Sequence, residues 1–368
     1  MTDTQPTTGA AEVDPAALHG QRRRLVFKLR RAGRVIEQRE RTQELAYGLL
    51  VAAVALAFPA SSWLGSDEVL RRLEGEPRVT YGLLLPLAQG LVHSFGAAPE
   101  QALQIIAATC YGFGFAATLA LLRRLGFRRT SSIPATLVAF SAPIAWHGAT
   151  SPCDFAPGIF GASALLWSLS RLGELFPRDY QWRAILLLGL GTLLRPELVL
   201  LLPAVAWAVS RHPARPQEAQ VTFFSVFCVV SISVAIGLSG PDEAARLGHF
   251  IERVFAGAEP DIRGAFTWPL WTLRSFALAL LGVHWLLFAR RTRSGQRAPR
   301  WILPWCAAAL VPMFAGRPAA GPVGSFLVPA MALGLADGLN RLGDRRAEAR
   351  IGLALVTAQA VCTTWLLG

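Results

Sequence analysis

The run ILLLGLGTLLRPELVLLLPAVAWAV, residues 185–209, is apolar except at its middle, where Arg195, Pro196 and Glu197 stand together. A guanidinium that deep in hydrocarbon costs at least about 2.5–3.5 kcal/mol on insertion scales, so it is expected to face water or an anion rather than lipid. Its planar fork of donors grips a phosphate through two parallel hydrogen bonds, which makes Arg195 a candidate phosphate ligand. The competing reading is local, with Arg195 paired to Glu197 or bonded to helix-end carbonyls. Pro196 can begin a second helix, where no amide partner is missed, and Glu197 then falls in a first turn whose dipole favours negative charge.

Further polar residues gather near the ends of apolar runs. Asp67 and Glu68 open SDEVLRRL directly after the first run; Ser66 followed by two acids is equally an ordinary helix start. His147 and Asp154 flank the short loop in PIAWHGATSPCDF, His147 at a helix end where a satisfied polar group is the ordinary role, Asp154 at the head of the next run. The stretch 240–267 reads as an amphipathic surface helix with Leu247, Phe250, Ile251 and Phe255 on one face, which leaves His249, Arg253 and Arg263 as candidate contacts or as solvated charges. Arg317, in FAGRPAAGPVG, tops a later loop as a second candidate phosphate contact.

The elements that must position these residues follow from composition. The chain has 368 residues, 53% hydrophobic and only 16% charged, too apolar and too blocky for an ordinary soluble domain. Crossing about 30 Å of hydrocarbon takes about 20 helical residues. Apolar runs that meet or approach that length fall at 44–64, 101–122, 131–149, 157–173, 183–210, 219–239, 268–289, 301–316, 322–340 and 350–367. A shorter piece, 80–96, holds Pro86 and is assigned to the interface or a re-entrant element. The predicted fold class is therefore all-α: a polytopic integral membrane helical bundle of about 10–11 spans, with a broken helical hairpin at 183–210 and short outer interfacial helices.

Charge placement orients the bundle. The net charge of +12 is carried almost wholly by arginine, with Lys28 the one lysine. If 183–210 enters and returns as two half-helices, RRLGFRR (123–129), RHPAR (211–215), RRTRSGQRAPR (290–300) and RLGDRRAEAR (341–350) all fall on the cytoplasmic side. The outer segments, 65–100, 150–156 and 240–267, are neutral to acidic. Each arm of the hairpin is short: from Arg183 to Leu194 the helix rises about 18 Å, past the midplane but not across. Residues 1–43 form a polar, then basic, cytoplasmic segment, and 44–368 the transmembrane domain, with outer loops at 65–100 and 240–267. The basic clusters lie between apolar runs and no nucleic-acid module accompanies them, so no nucleic acid is expected as a partner. The five cysteines have neither metal nor disulfide spacing. Gly189-x-Gly191 lacks the preceding strand of a nucleotide fingerprint and reads as helix packing. Tryptophans near span ends mark interfacial belts.

The order of a first span ending in an acidic pair, then TYGLLLPL, an acid heading the fourth span and GLGTLLRPELVLLLP resembles the polytopic glycosyltransferases of the GT-C superfamily, over residues 44–210. The resemblance implies an inverting transfer of a sugar from a polyprenyl-phosphate donor to a glycan, lipid or protein acceptor, on the outer face of a bacterial plasma membrane. It implies Asp67 or Glu68 as base and Asp154 as a further site acid; the chemistry of such a transfer then gives Arg195 the role of clamp on the departing phosphate. Glu197, His147, Arg263 and Arg317 complete the expected site. The first outer loop has no Asp-x-Asp, so a divalent metal (Mg or Mn) is an option rather than a requirement, and no other cofactor is expected. Membrane lipids are the surrounding partner. Two other classes fit the same features: a multi-span transporter or lipid-linked-sugar flippase, which would also bury an arginine at a broken helix, and an inactive membrane scaffold.

Overall fold

The computed structural model describes residues 38–58, 84–96, 98–150, 155–170, 276–283 and 325–367, with isolated helical residues at 198, 201, 204–205 and 305–306. The chain forms two units, Met1–Glu44 and Leu45–Gly368. In the first, residues 38–44 are helical and Thr42 donates its hydroxyl to the Gln38 carbonyl at 3.0 Å. In the second, the elements are α1 (residues 45–57), α2 (Leu84–Phe95), α3 (Pro99–Arg124), α4 (Arg129–Phe140), α5 (Pro143–Thr150), α6 (Phe155–Leu169), α7 (Val328–Asn340) and α8 (Arg345–Leu367). Short 3₁₀ turns occur at Ala277–Ala279 and Ser325–Leu327. Among the described residues every regular element is helical and none is a strand, so the all-α class holds there.

The ends of α3 follow from its sequence. Ala98 is extended, Pro99 takes the first helical position, and the Gln101 side chain accepts the Ala98 N–H at 3.4 Å. At the other end Gly126 adopts φ +83°, and the Phe127 and Gly126 amides reach back to the carbonyls of Leu122 and Arg123 at 3.1 and 2.9 Å. That closure requires a left-handed residue, which glycine supplies without strain. Among the described residues Gln101–Arg124 is the one helix both long and apolar enough to cross a membrane.

The run expected as one span at 131–149 is two helices. α4 stops at Phe140 and α5 starts at Pro143. Proline carries no N–H and disfavours helical geometry in the residue before it; α4 carries Pro134 in its interior, but at Pro143 the ladder is interrupted and a new helix begins. The Ala142 carbonyl instead starts the new helix, accepting the Ala145 and Trp146 amides at 2.9 Å each.

α3 packs on α6, and α4 packs on both α7 and α8, around one core that includes Tyr111, Phe115, Phe140, Ile159, Leu165, Phe326 and Leu333. Small residues let backbones touch. A Cβ at Gly48 would lie 2.5 Å from the Gly112 carbonyl oxygen and 3.0 Å from Ala116 Cβ, so α1 and α3 cross through Gly48-x-x-x-Ala52 and Gly112-x-x-x-Ala116. Beyond its exposed arginines Arg345, Arg346 and Arg350, the last helix has its polarity reversed relative to a water-facing one. α8 buries Glu348, Gln359 and Thr363 against the core, while Leu353, Val361 and Trp365 are 67%, 61% and 80% exposed.

Candidate functional site

Of the residues expected to do chemistry, the described set contains His147 alone. His147 lies in the last turn of α5 with its side chain buried rather than open at a loop. Asp67, Glu68, Asp154, Arg195, Glu197, Arg263 and Arg317 lie outside the described residues. α6 begins at Phe155, the residue after Asp154. Among the described residues no three His, Cys, Asp or Glu side chains are grouped so as to hold a metal ion.

The helix break after α4 organises a buried polar node. A helix that stops at Phe140 leaves its last carbonyls without amide donors, and burying them unpaired costs about 1–3 kcal/mol each. Three side chains meet that demand. The Tyr111 hydroxyl donates to the Phe140 carbonyl, and the Tyr111 ring lies 5.3 Å from Phe140 and 6.4 Å from Trp146. The Thr363 hydroxyl donates to the Ser141 carbonyl at 2.5 Å, and the Gln359 amide donates to the same oxygen at 3.5 Å and to Thr363 Oγ1 at 3.3 Å. The Gln359 carbonyl oxygen turns to a second interruption and accepts the Leu278 N–H at 2.8 Å, within the 3₁₀ turn where Ala277 takes φ +45°. Gln359 thus joins two broken helical segments through one amide. Each donor in the node meets an acceptor within it; the arrangement holds backbone in place and presents no nucleophile beside a base.

A second polar cluster closes the arginine-rich end. Arg128 Nη1 lies 3.1 Å from Glu348 Oε1 and 3.2 Å from the Gly343 carbonyl, and the Thr130 hydroxyl donates to Glu348 Oε2 at 2.5 Å. Asp337 receives both Arg341 Nε and Nη2, at 3.0 and 2.7 Å, one turn along. The turns RLGFRR (124–129) and RLGDRR (341–346) therefore adjoin, and each has its glycine at positive φ. With Arg128 and Thr130 beside Glu348 at one end and Ser141 beside Gln359 and Thr363 at the other, α4 and α8 run parallel.

Counting apolar length passes over these residues, although the sequence does carry a signal for them. Glu348, Gly352, Gln359 and Thr363 recur at helical spacing, a polar and small stripe along an otherwise apolar helix, which marks an inward face when the outward one is greasy. Comparison of the chain with protein-family models, with curated proteins and with solved structures finds no match.

Proposed function

We propose that the chain is a polytopic protein of a bacterial plasma membrane that moves a sugar from a polyprenyl-phosphate donor to an acceptor on the outer face. The observation that carries the membrane half of this reading is the reversed polarity of α8. A helix that hides Glu348, Gln359 and Thr363 while presenting Leu353, Val361 and Trp365 is suited to lipid and would be an aggregation surface in water. α1 behaves alike, with Leu49 and Leu50 outward. The small-residue crossing of α1 and α3, and the adjoining arginine-rich turns, support the same arrangement.

The chemical half rests on the sequence. Asp67 or Glu68 removes the proton from the acceptor hydroxyl as it attacks the anomeric carbon; the sugar–phosphate bond breaks with inversion, and Arg195 holds the phosphate that leaves. Asp154 orients the acceptor or shares a divalent metal. The test is transfer by the purified full chain from a polyprenyl-phosphate-linked sugar in proteoliposomes. Asp67→Asn, Glu68→Gln or Asp154→Asn is expected to abolish product without loss of folded protein. Full activity in all three variants, separately and combined, would remove the transfer reading.

A second reading is favoured by one specific feature. Interruptions at Ser141–Ala142 and Ala277–Ala279 meet at Gln359, and paired interruptions within helices are how transporters and flippases build sites at mid-depth. Substrate flux across sealed vesicles without new glycosidic product would select that reading.

A further inference from the structure

We propose that the outward face of α8 seats one anionic phospholipid, with Arg346 and Arg350 on its phosphate and its acyl chains along Leu353, Val361 and Trp365. This rests on the membrane reading above and adds a ligand to it. Arg346 and Arg350 are four residues apart and exposed, so their guanidinium groups share one face of the helix. Continuing at helical spacing, Leu353, Thr357, Val361, Thr364 and Trp365 carry that face onward, all of them exposed. From Arg350 to Trp365 the rise is about 22 Å, against about 20–22 Å for one leaflet of a bilayer about 40–45 Å thick with its headgroup regions. A cationic head on an apolar stripe one leaflet long has the shape and charge of a phospholipid's complement.

The neighbouring carboxylates are committed elsewhere. Glu348 is buried on the opposite face with Arg128 and Thr130. Asp344 accepts the backbone amides of Arg346 and Ala347 at 3.1 and 3.3 Å, and Asp337 holds Arg341. Among the described residues the guanidinium groups of Arg346 and Arg350 meet no carboxylate, so the pair is open to an anion from outside. A second copy of the chain fits this face less well. A two-fold axis along α8 would bring Arg346 and Arg350 against their own copies, a like-charge contact with nothing between to neutralise it.

The experiment uses the full chain purified in neutral detergent and native mass spectrometry with added dioleoylphosphatidylglycerol or dioleoylphosphatidylcholine. The wild type is expected to retain the anionic lipid preferentially. Each basic residue near an anionic surface contributes on the order of five-fold, so Arg346→Gln with Arg350→Gln is expected to cut that retention on the order of twenty-fold. Arg345→Gln removes the same charge off the stripe and is expected to leave it unchanged; Trp365→Ala is expected to weaken retention of both lipids alike. Undiminished preference in the double variant, equal loss in Arg345→Gln, displacement by inorganic phosphate alone, or a dimer in place of the lipid-bound monomer would overturn the proposal. Carbonate extraction of native membranes separates the two claims. Protein that resists extraction but shows no lipid preference ends the lipid seat alone, whereas protein that is stripped away ends the membrane reading as well.

Discussion

Arg128 and Glu348 stand 220 residues apart in sequence and 3.1 Å apart in space, the arginine side chain 45% exposed and the glutamate fully buried. The asymmetry decides what each substitution does. Removing Arg128 strands a buried carboxylate with only the Thr130 hydroxyl, and with the arginine half in solvent the expected loss is about 2–3 kcal/mol. Glu348→Gln keeps a hydrogen-bond acceptor for Thr130 and removes the charge that needed neutralising, so it is expected to cost less. Thermal unfolding in detergent of Arg128→Ala, Glu348→Gln and the double variant reads this directly, with the double variant falling short of the sum. Strict additivity would mean that the two groups do not act as a pair.

The crossing of α1 over α3 makes a sharper steric prediction. A Cβ at Gly112 would meet the Gly48 backbone and stand 2.8 Å from Ala52 Cβ, contacts that rigid backbone cannot yield. Gly112→Val is therefore expected to force the helices apart and to lower stability by about 1–3 kcal/mol or more. Gly90, with nothing within 4 Å of the added atom, is the control, and Gly90→Ala is expected to be neutral or slightly stabilising. Thermal unfolding midpoints of the two variants should differ by several degrees; equal midpoints would show that the glycine contact is slack.

What sequence reveals and hides here divides along physical lines. Apolar runs at 101–122, 157–173, 322–340 and 350–367 find α3, α6, α7 and α8, because span length and apolarity are set by each segment alone. The run 131–149 misleads, since Pro143 is apolar by composition and a breaker by geometry, and counting length weighs only the first property. The start of α8 is displaced likewise. Arg345, Arg346 and Arg350 look like loop, but Asp344 caps the helix ahead of them. The polar node is a tertiary fact, for Gln359 has no evident task until Ser141 and Leu278 arrive from elsewhere in the chain. The residues expected to carry the chemistry, Asp67, Glu68, Asp154 and Arg195 foremost, fall outside the described residues, so their juxtaposition remains an expectation from sequence.

Gln359 supports two backbone groups at once, and its replacement should show it. Gln359→Leu preserves size while leaving the Leu278 N–H without its acceptor and the Ser141 carbonyl with Thr363 alone. An unsatisfied buried group costs about 1–3 kcal/mol, so the variant is expected to lose about 2–3 kcal/mol. Amide exchange should also rise at residues 141–146 and 276–283 together, since one side chain restrains both. Faster exchange at only one of the two segments would show that they are held independently.

The adjoining arginine-rich turns make the membrane reading testable without any substrate. α3 runs from Ala98 at one end to Gly126 at the other, and Gly126 shares its end with Leu342 because Arg128 bonds to the Gly343 carbonyl. In a chain whose native cysteines have been replaced, single cysteines at Arg129, exposed just past that end, and at Leu342 are therefore expected to share one side. By the excess of arginine there, that side is expected to be the cytoplasmic one. A cysteine at Ala98, exposed at the far end of a helix long enough to cross, is expected on the opposite side. In intact cells a membrane-impermeant maleimide should label the Ala98 site alone, and in inverted vesicles the other two alone. Labelling of all three from one side would mean that α3 does not cross. Labelling of the Arg129 and Leu342 sites from opposite sides would contradict the Arg128–Glu348 contact itself, and with it the parallel course of α4 and α8.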